Sequence, residues 1–132
     1  MGSTFDLLVR HAIIVPDGAL RLQSGVRVEI DHDFCREILR TCYETGLSLI
    51  DVHTHPFSTD RVAFSGHDID NMHATHADIL DSIPQEPITI AASLVLGQQS
   101  LAGAWTDPQS RTLGPIDRFT VQDDHLESLP LT

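Results

Sequence analysis

The feature that most constrains this chain is a segment rich in histidine and aspartate that begins inside an apolar run. Residues 51–68, DVHTHPFSTDRVAFSGHD, hold three histidines and three aspartates in eighteen positions. His53 and His55 lie at i and i+2 at the end of a predicted strand, 47–53. The pleat of that strand would project both imidazoles from one face and Thr54 from the other. The segment therefore predicts a strand that presents two neighbouring imidazole side chains where it ends.

The residues after the histidine pair indicate a third ligand. Pro56 favours extended backbone at His55, which keeps the pair aligned where the strand becomes a loop. Ser65 precedes Asp68 by three positions, the spacing of a capping box, and this places Asp68 in the first turn of a helix without any need for a metal. Two imidazoles, a carboxylate and one open position are a common arrangement for catalytic zinc. His53, His55 and Asp68 are therefore candidate zinc ligands.

Six segments have the composition of β-strands. Apolar and β-branched runs bounded by turn residues indicate strands, and strict alternation indicates a strand with one buried face. The predicted strands are residues 5–16, 26–30, 47–53, 88–97, 100–106 and 116–121. The strand at 88–97, ITIAASLVLG, is apolar almost throughout, as is typical of a central strand buried on both faces. A loop carrying Gly114 and Pro115 is predicted to precede the last strand.

Two segments have helical periodicity. In residues 31–46 the apolar side chains recur at i, i+3, i+4 and i+7. Asp31 or Asp33 is the predicted N-cap, and Gly46 is the predicted left-handed residue that ends this helix. A second helix is predicted over residues 65–83. Strands interleaved with two helices predict a mixed α/β layered fold.

Length and charge limit the possible functions. The chain has 132 residues, the size of one domain. Nineteen acidic residues against eight basic ones give a net charge of −11, without a basic cluster, so nucleic acid is not an expected partner. No apolar run approaches the roughly 18 residues of a membrane span, and the N-terminus lacks the pattern of a secretion signal. The expected compartment is the cytoplasm, with no membrane partner.

The joint pattern resembles the His-x-His-Pro…Ser-x-x-Asp motif of JAB/MPN domains with the JAMM metal site. Here the motif comprises the stretch from His53 to Pro56, eight further residues, and the stretch from Ser65 to Asp68. The order of helix, strand, motif loop, helix and apolar strand is also similar to that family over most of residues 4–122. The resemblance implies a three-layer fold of the JAB/MPN, or cytidine-deaminase-like, type, with a mixed sheet flanked by helices. Residues 1–122 would form this domain and residues 123–132 a polar tail or linker.

The resemblance also implies an activity. Active JAMM proteins are zinc metalloproteases, isopeptidases that cut ubiquitin or ubiquitin-like proteins from lysine side chains. By this resemblance Zn²⁺ would be held by His53, His55 and Asp68, and Ser65 would hydrogen-bond the oxyanion of the tetrahedral intermediate. The expected partner is a ubiquitin-like protein or its conjugates. An E1-like adenylating (ThiF) domain, carried on the same parent chain, is a further expected partner.

One residue of the family's site has no evident counterpart in this sequence. Active members use a glutamate, on an element before the strand that 5–16 resembles, as general base. This chain has no glutamate before Glu29. Glu29 and Glu44 belong to other elements, and Asp6 is at a similar sequence separation but in the wrong element. We therefore expect that residues 1–132 begin after the glutamate, or that this copy has lost it.

Two other functions remain open. The missing glutamate favours a non-catalytic JAB/MPN module that binds a partner. The stretch from Asp51 to His55 also resembles the Asp-x-His-x-His strand end of metal-dependent amidohydrolases. That motif belongs to a barrel of about 250 residues, whereas 77 residues follow His55 here.

The second predicted helix and one strand carry other candidate residues. His67, His73 and His76 are an alternative second metal site on the helix. His76 lies on the apolar stripe, which favours a hydrogen-bonded, partly buried histidine, and His67 is a candidate to orient a ligand. Trp105 is predicted to fill an edge of the core.

Overall fold

The computed structural model describes residues 6–16, 18, 20–23, 28–55, 61–86, 88–122 and 126–129. The chain divides into two compact units, Met1–Glu37 and Ile38–Thr132. The helices of the described residues are α1 (His32–Thr45) and α2 (Gly66–Ser82). The strands are β1 (Leu20–Gln23), β2 (Val28–Ile30), β3 (Leu49–Thr54), β4 (Ala91–Leu96), β5 (Leu101–Thr106), β6 (Leu113–Pro115), β7 (Phe119–Gln122) and β8 (Leu126–Leu129). The protein is therefore α/β, as predicted, and none of these helices is long and apolar enough to cross a membrane.

The first unit differs from the prediction near its start. Residues 6–16 form no regular secondary structure, and Leu8 and Ile14 are 80% and 92% exposed. The predicted strand is therefore wrong over 6–16, because apolar β-branched composition favours a strand only where a partner supplies backbone hydrogen bonds. β2 confirms the strand predicted at 26–30 from Val28 onward, and residues 26–27 lie outside the described part. β2 pairs antiparallel with β1, which the sequence did not predict.

Both predicted ends of α1 are confirmed. Asp31 is the N-cap, because its Oδ2 accepts hydrogen bonds from the backbone N–H groups of Asp33 at 3.1 Å and Phe34 at 3.2 Å. The helix ends at Gly46, whose φ of 69° lies in the left-handed region that favours glycine.

The second unit is built on a mixed four-stranded sheet in the order β3-β4-β5-β6. β3 runs parallel to β4, and the β4–β5 and β5–β6 pairs are antiparallel. The register places Asp51 opposite Ser93 and His53 opposite Val95. β4 lies between two strands and is buried along most of its length, so the prediction of a central strand is confirmed. It begins at Ala91, three residues later than predicted.

One hydrophobic cluster joins both helices to the sheet. Its buried members come from α1, from α2 and the residue that follows it, and from β4; they are Cys42, Ile79, Leu80, Ile83 and Ala91. Ile38, Leu39 and Leu49 pack against them. The cluster therefore fixes α2 on the sheet beside β3, the strand that carries the histidine pair.

The C-terminal third departs from the prediction in two places. The predicted loop contains β6, an edge strand that ends at Pro115, where proline is tolerated because its missing N–H faces no partner strand. The segment predicted as a polar tail or linker contains β8, a strand that the sequence did not predict and that pairs antiparallel with β7. Residues 123–125 and 130–132 lie outside the described part. The strand predicted at 116–121 is observed as β7, beginning at Phe119.

Candidate metal centre

β3 presents its two histidines on one face. The His55 N–H donates to the Leu96 carbonyl at 2.8 Å, which continues the pairing with β4 one residue beyond Thr54. Both imidazoles are half-buried and Thr54 is exposed, as the pleat predicts. The ring centroids of His53 and His55 lie 5.1 Å apart with an edge-to-face angle of 60°. Pro56 lies outside the described residues.

α2 brings Asp68 to this face through a complete capping box. The Asp68 N–H donates to Ser65 Oγ at 3.0 Å, and the Ser65 N–H donates to Asp68 Oδ2 at 2.8 Å. Both arms of the predicted box are therefore present. The carboxylate is fixed in the first turn of the helix, and Ser65 is exposed beside it.

The three candidate ligands converge. His53 Nε2 lies 3.4 Å from Asp68 Oδ1, and His55 Nε2 lies 3.3 Å from Asp68 Oδ2. One ligand atom from each residue can be chosen so that all lie within 4.8 Å of one another, and no other such group of three occurs among the described residues. Two ligands on a tetrahedral zinc ion with bonds of about 2.1 Å lie roughly 3.4 Å apart. Each of the two ring-to-carboxylate distances, which end on different Asp68 oxygens, is close to that separation.

The polar atoms of the site also fit a cation. His53 Nε2 is buried and has no hydrogen-bond partner among the described residues, an arrangement that costs free energy unless something else binds the nitrogen. Burial raises the pKa of Asp68, but two hydrogen bonds with Ser65 and the charges of His53 and His55 outweigh it, so the net pKa is lowered. The site therefore combines an ionised carboxylate with an unsatisfied imidazole nitrogen.

Residues 61–65, which precede α2, lie beside the centre. Val62 is fully buried against Val95 and Ala102, and its N–H donates to Ser100 Oγ at 3.0 Å. Phe64 packs on the same cluster, and its ring centroid lies 6.2 Å from that of His53. These contacts anchor residues 61–65 on the sheet and place Phe64 beside the His53 ring.

No described glutamate joins the three ligands. Glu44 is exposed on α1 and pairs with Arg40 at 3.2 Å. Asp6 is exposed in the irregular N-terminal segment, and the side chain of Glu29 lies outside the described part. The general base that the resemblance implies therefore has no counterpart in the described cluster.

The other histidines of α2 do not form a second ligand cluster within the described residues. His67 is exposed, and its Nε2 lies 3.1 Å from Asn71 Nδ2 one turn later. His73 is also exposed. His76 is fully buried, with both ring nitrogens hydrogen-bonded, which confirms the prediction of a satisfied histidine and extends it to complete burial.

A series of hydrogen-bonded polar side chains that begins at Asp51, two residues before His53, was not predicted. Ser93 Oγ donates to Asp51 Oδ2 at 2.6 Å and also contacts His76, which in turn contacts Thr106. Burial raises the pKa of Asp51, against the opposing effects of the Ser93 hydrogen bond and the charge of His53. Asp51 and Ser93 each have apolar neighbours on both sides in their strands, and this is the signal that points to a buried polar partner.

Trp105 is half-buried in β5, as expected for an edge of the core. It lies opposite Gly114 of β6, where a Cβ would come within 3.4 Å of its Nε1. Its position therefore gives it a packing role.

Comparison with protein-family models, with curated proteins and with solved structures found no match.

Proposed function

We propose that this protein is a zinc-dependent hydrolase of the JAMM type, which cleaves the peptide or isopeptide bond after the C-terminus of a ubiquitin-like protein. The convergence of His53, His55 and Asp68 is the observation that carries the proposal. The three side chains come from two elements, β3 and α2, and their ring-to-carboxylate distances of 3.3 and 3.4 Å are close to the separation of two ligands on a tetrahedral ion.

The residues around the centre have distinct roles in this proposal. A bound Zn²⁺ would polarise the scissile carbonyl and acidify a water molecule. Ser65 Oγ accepts the Asp68 N–H, so the proton of its hydroxyl is available to donate to the oxygen that becomes negative during attack. Asp68 keeps Oδ1 toward His53 while the Ser65 N–H binds Oδ2, and this fixes the carboxylate between the two rings.

The fold and partners belong to the same proposal. A mixed sheet with two helices is compatible with the JAB/MPN architecture, and we propose that the chain has that three-layer fold. A ubiquitin-like protein is the proposed substrate, and an E1-like adenylating domain on the same parent chain is a further proposed partner. The amidohydrolase alternative receives no support from a sheet in which β4, β5 and β6 pair antiparallel, because that barrel is built from parallel strands.

A second candidate is a zinc-binding JAB/MPN module without catalysis. It is favoured by the lack of a glutamate in the described cluster and by the pairing of Glu44 with Arg40 on α1. Removing a positioned base costs about 10²- to 10⁴-fold in rate. Such a module would still bind Zn²⁺ and the ubiquitin-like partner.

Cleavage of a defined substrate separates these candidates. The protein loaded with Zn²⁺ is incubated with a ubiquitin-like protein extended at its C-terminus by a short peptide, and the products are identified by mass spectrometry. Asp68→Asn is the matched control, because an amide oxygen can still accept the Ser65 N–H while the charge is lost. Cleavage at the junction that Asp68→Asn abolishes supports the hydrolase. Zinc and partner binding without cleavage supports the module, and failure to bind zinc contradicts both.

A further inference from the structure

Four side chains form a continuous hydrogen-bonded chain through the core of the second unit. Thr106 Oγ1 lies 2.7 Å from His76 Nδ1, and His76 Nε2 lies 2.8 Å from Ser93 Oγ. Ser93 Oγ donates in turn to Asp51 Oδ2 at 2.6 Å. His76, Ser93 and Thr106 are all at most 5% exposed. These hydrogen bonds link β5, α2, β4 and β3 in that order.

The direction of every bond in this chain follows from its last member. Ser93 Oγ donates its single hydroxyl proton to Asp51 Oδ2. Ser93 Oγ must then accept from His76, which places a proton on Nε2. Burial and the charge of His73 lower the pKa of His76, which favours the neutral ring and leaves Nδ1 as the acceptor. Thr106 therefore donates to Nδ1, and all three bonds point toward Asp51.

Two members of this hydrogen-bonded series, Asp51 and His76, lie on the elements that carry the metal ligands. Asp51 precedes His53 by two residues on the same face of β3, and its charge interacts with those of His53 and Asp68. His76 lies on α2, eight residues after Asp68, or about 12 Å along the helix. A buried polar network that is fully satisfied fixes one arrangement of its elements, whereas apolar contacts permit small shifts.

We propose that Ser93 and His76 are positioning residues of the metal centre: their hydrogen bonds hold α2 against β3 at the separation that brings Asp68 to His53 and His55. This inference rests on the metal site of the proposed function. It assigns a role to residues that bind neither metal nor substrate. Loss of the Ser93 hydroxyl disconnects His76 from Asp51, so the two ligand-bearing elements lose their polar link.

The affinity for Zn²⁺ tests the proposal. The metal-free protein and its variants are titrated with Zn²⁺ against a chromophoric chelator, and the stability of each metal-free form is measured by urea unfolding. Ser93→Ala is expected to weaken Zn²⁺ binding by about 10-fold, the lower end of the effect of losing an outer partner of a metal site. Thr106→Val leaves His76 Nδ1 without its donor and should also weaken Zn²⁺ binding. Thr106→Ser keeps the hydroxyl and should bind Zn²⁺ as tightly as the unaltered protein.

A matched control separates positioning from general destabilisation. Ile79→Val removes one buried methyl group from the same helix without touching the hydrogen-bonded chain, and its Zn²⁺ affinity should equal that of the unaltered protein. Nitrogen-15 NMR of the imidazoles in the metal-free protein should show the His76 proton on Nε2. A proton on Nδ1, unchanged affinity in Ser93→Ala, or an equal loss in Ile79→Val would overturn the positioning role alone. An unaltered protein that does not bind Zn²⁺ would overturn the proposed function as well.

Discussion

Ser65 and Asp68 cap the same helix reciprocally, each accepting the other's backbone N–H, at 3.0 Å on Ser65 Oγ and 2.8 Å on Asp68 Oδ2. The same two side chains are the proposed oxyanion donor and the proposed third metal ligand. The helix cap and the site are therefore built from one local structure. A substitution at Ser65 consequently affects stability and chemistry by separate routes.

The two roles of Ser65 can be separated by three substitutions. Ser65→Ala removes the cap and the hydroxyl, and we expect a loss of about 0.5–2 kcal/mol of stability, retained zinc and lower turnover. Ser65→Asp keeps an acceptor for the Asp68 N–H but has no O–H donor. It should therefore be more stable than Ser65→Ala while its turnover stays low. Ser65→Thr keeps both and should preserve both. Urea unfolding and the cleavage assay provide the two measurements, and full turnover in Ser65→Asp would exclude the oxyanion role.

His76 should make the stability of the protein depend on pH. Its pKa is lowered in the folded state by burial and by the charge of His73, so below pH of about 6.5 the unfolded chain takes up a proton that the folded chain does not. The neutral His76 ring therefore makes its full contribution to the free energy of unfolding above that pH, and this contribution falls as the pH decreases. When the pH is lowered from 7.5 to 5.5, the free energy of unfolding of the unaltered protein should therefore decrease more than that of His76→Gln. Equal decreases in the two proteins, measured by urea unfolding, would contradict the lowered pKa of His76.

Gly97 allows Val62 to pack closely against the end of β4. A Cβ at Gly97 would lie 2.9 Å from Val62 Cβ and 3.4 Å from the Ser100 carbonyl oxygen. Gly97→Ala should therefore cost about 1–3 kcal/mol, the range for overpacked interiors.

Gly66 offers the matched comparison for Gly97. A Cβ there would meet nothing within 4 Å, and the residue opens α2. Gly66→Ala should leave the protein unchanged or stabilise it by about 0.4–1 kcal/mol, because alanine restricts the unfolded chain. Thermal unfolding of both variants measures the difference, and equal effects would show that the contact with Val62 does not limit position 97.

Local rules made part of the site predictable. The pleat of β3 decides that His53 and His55 share a face, and the capping box decides that Asp68 opens α2; both depend on residues within a few positions of one another. The cap at Asp31 and the stop at Gly46 follow in the same way. These features required no knowledge of which strands pair.

Features that depend on distant partners were missed. Residues 6–16 are as apolar as a strand, but their sequence does not show whether another strand pairs with them. The sequence of β6 predicted a loop because Gly114 and Pro115 are common turn formers, although an edge strand tolerates both. Asp51 meets Ser93 across 42 positions and His76 meets Thr106 across 30, contacts that exist only once the sheet register and the helix position are known.

Zinc binding by the metal-free protein tests the central claim most directly. Calorimetric titration and elemental analysis should give one equivalent of Zn²⁺, and His53→Ala, His55→Ala and Asp68→Ala should each lower the affinity by more than the roughly 100-fold that loss of an outer partner can cost. His67→Ala, at an exposed histidine next to Asp68, should bind as tightly as the unaltered protein. Full zinc occupancy in His55→Ala would show that these three side chains do not form the metal site.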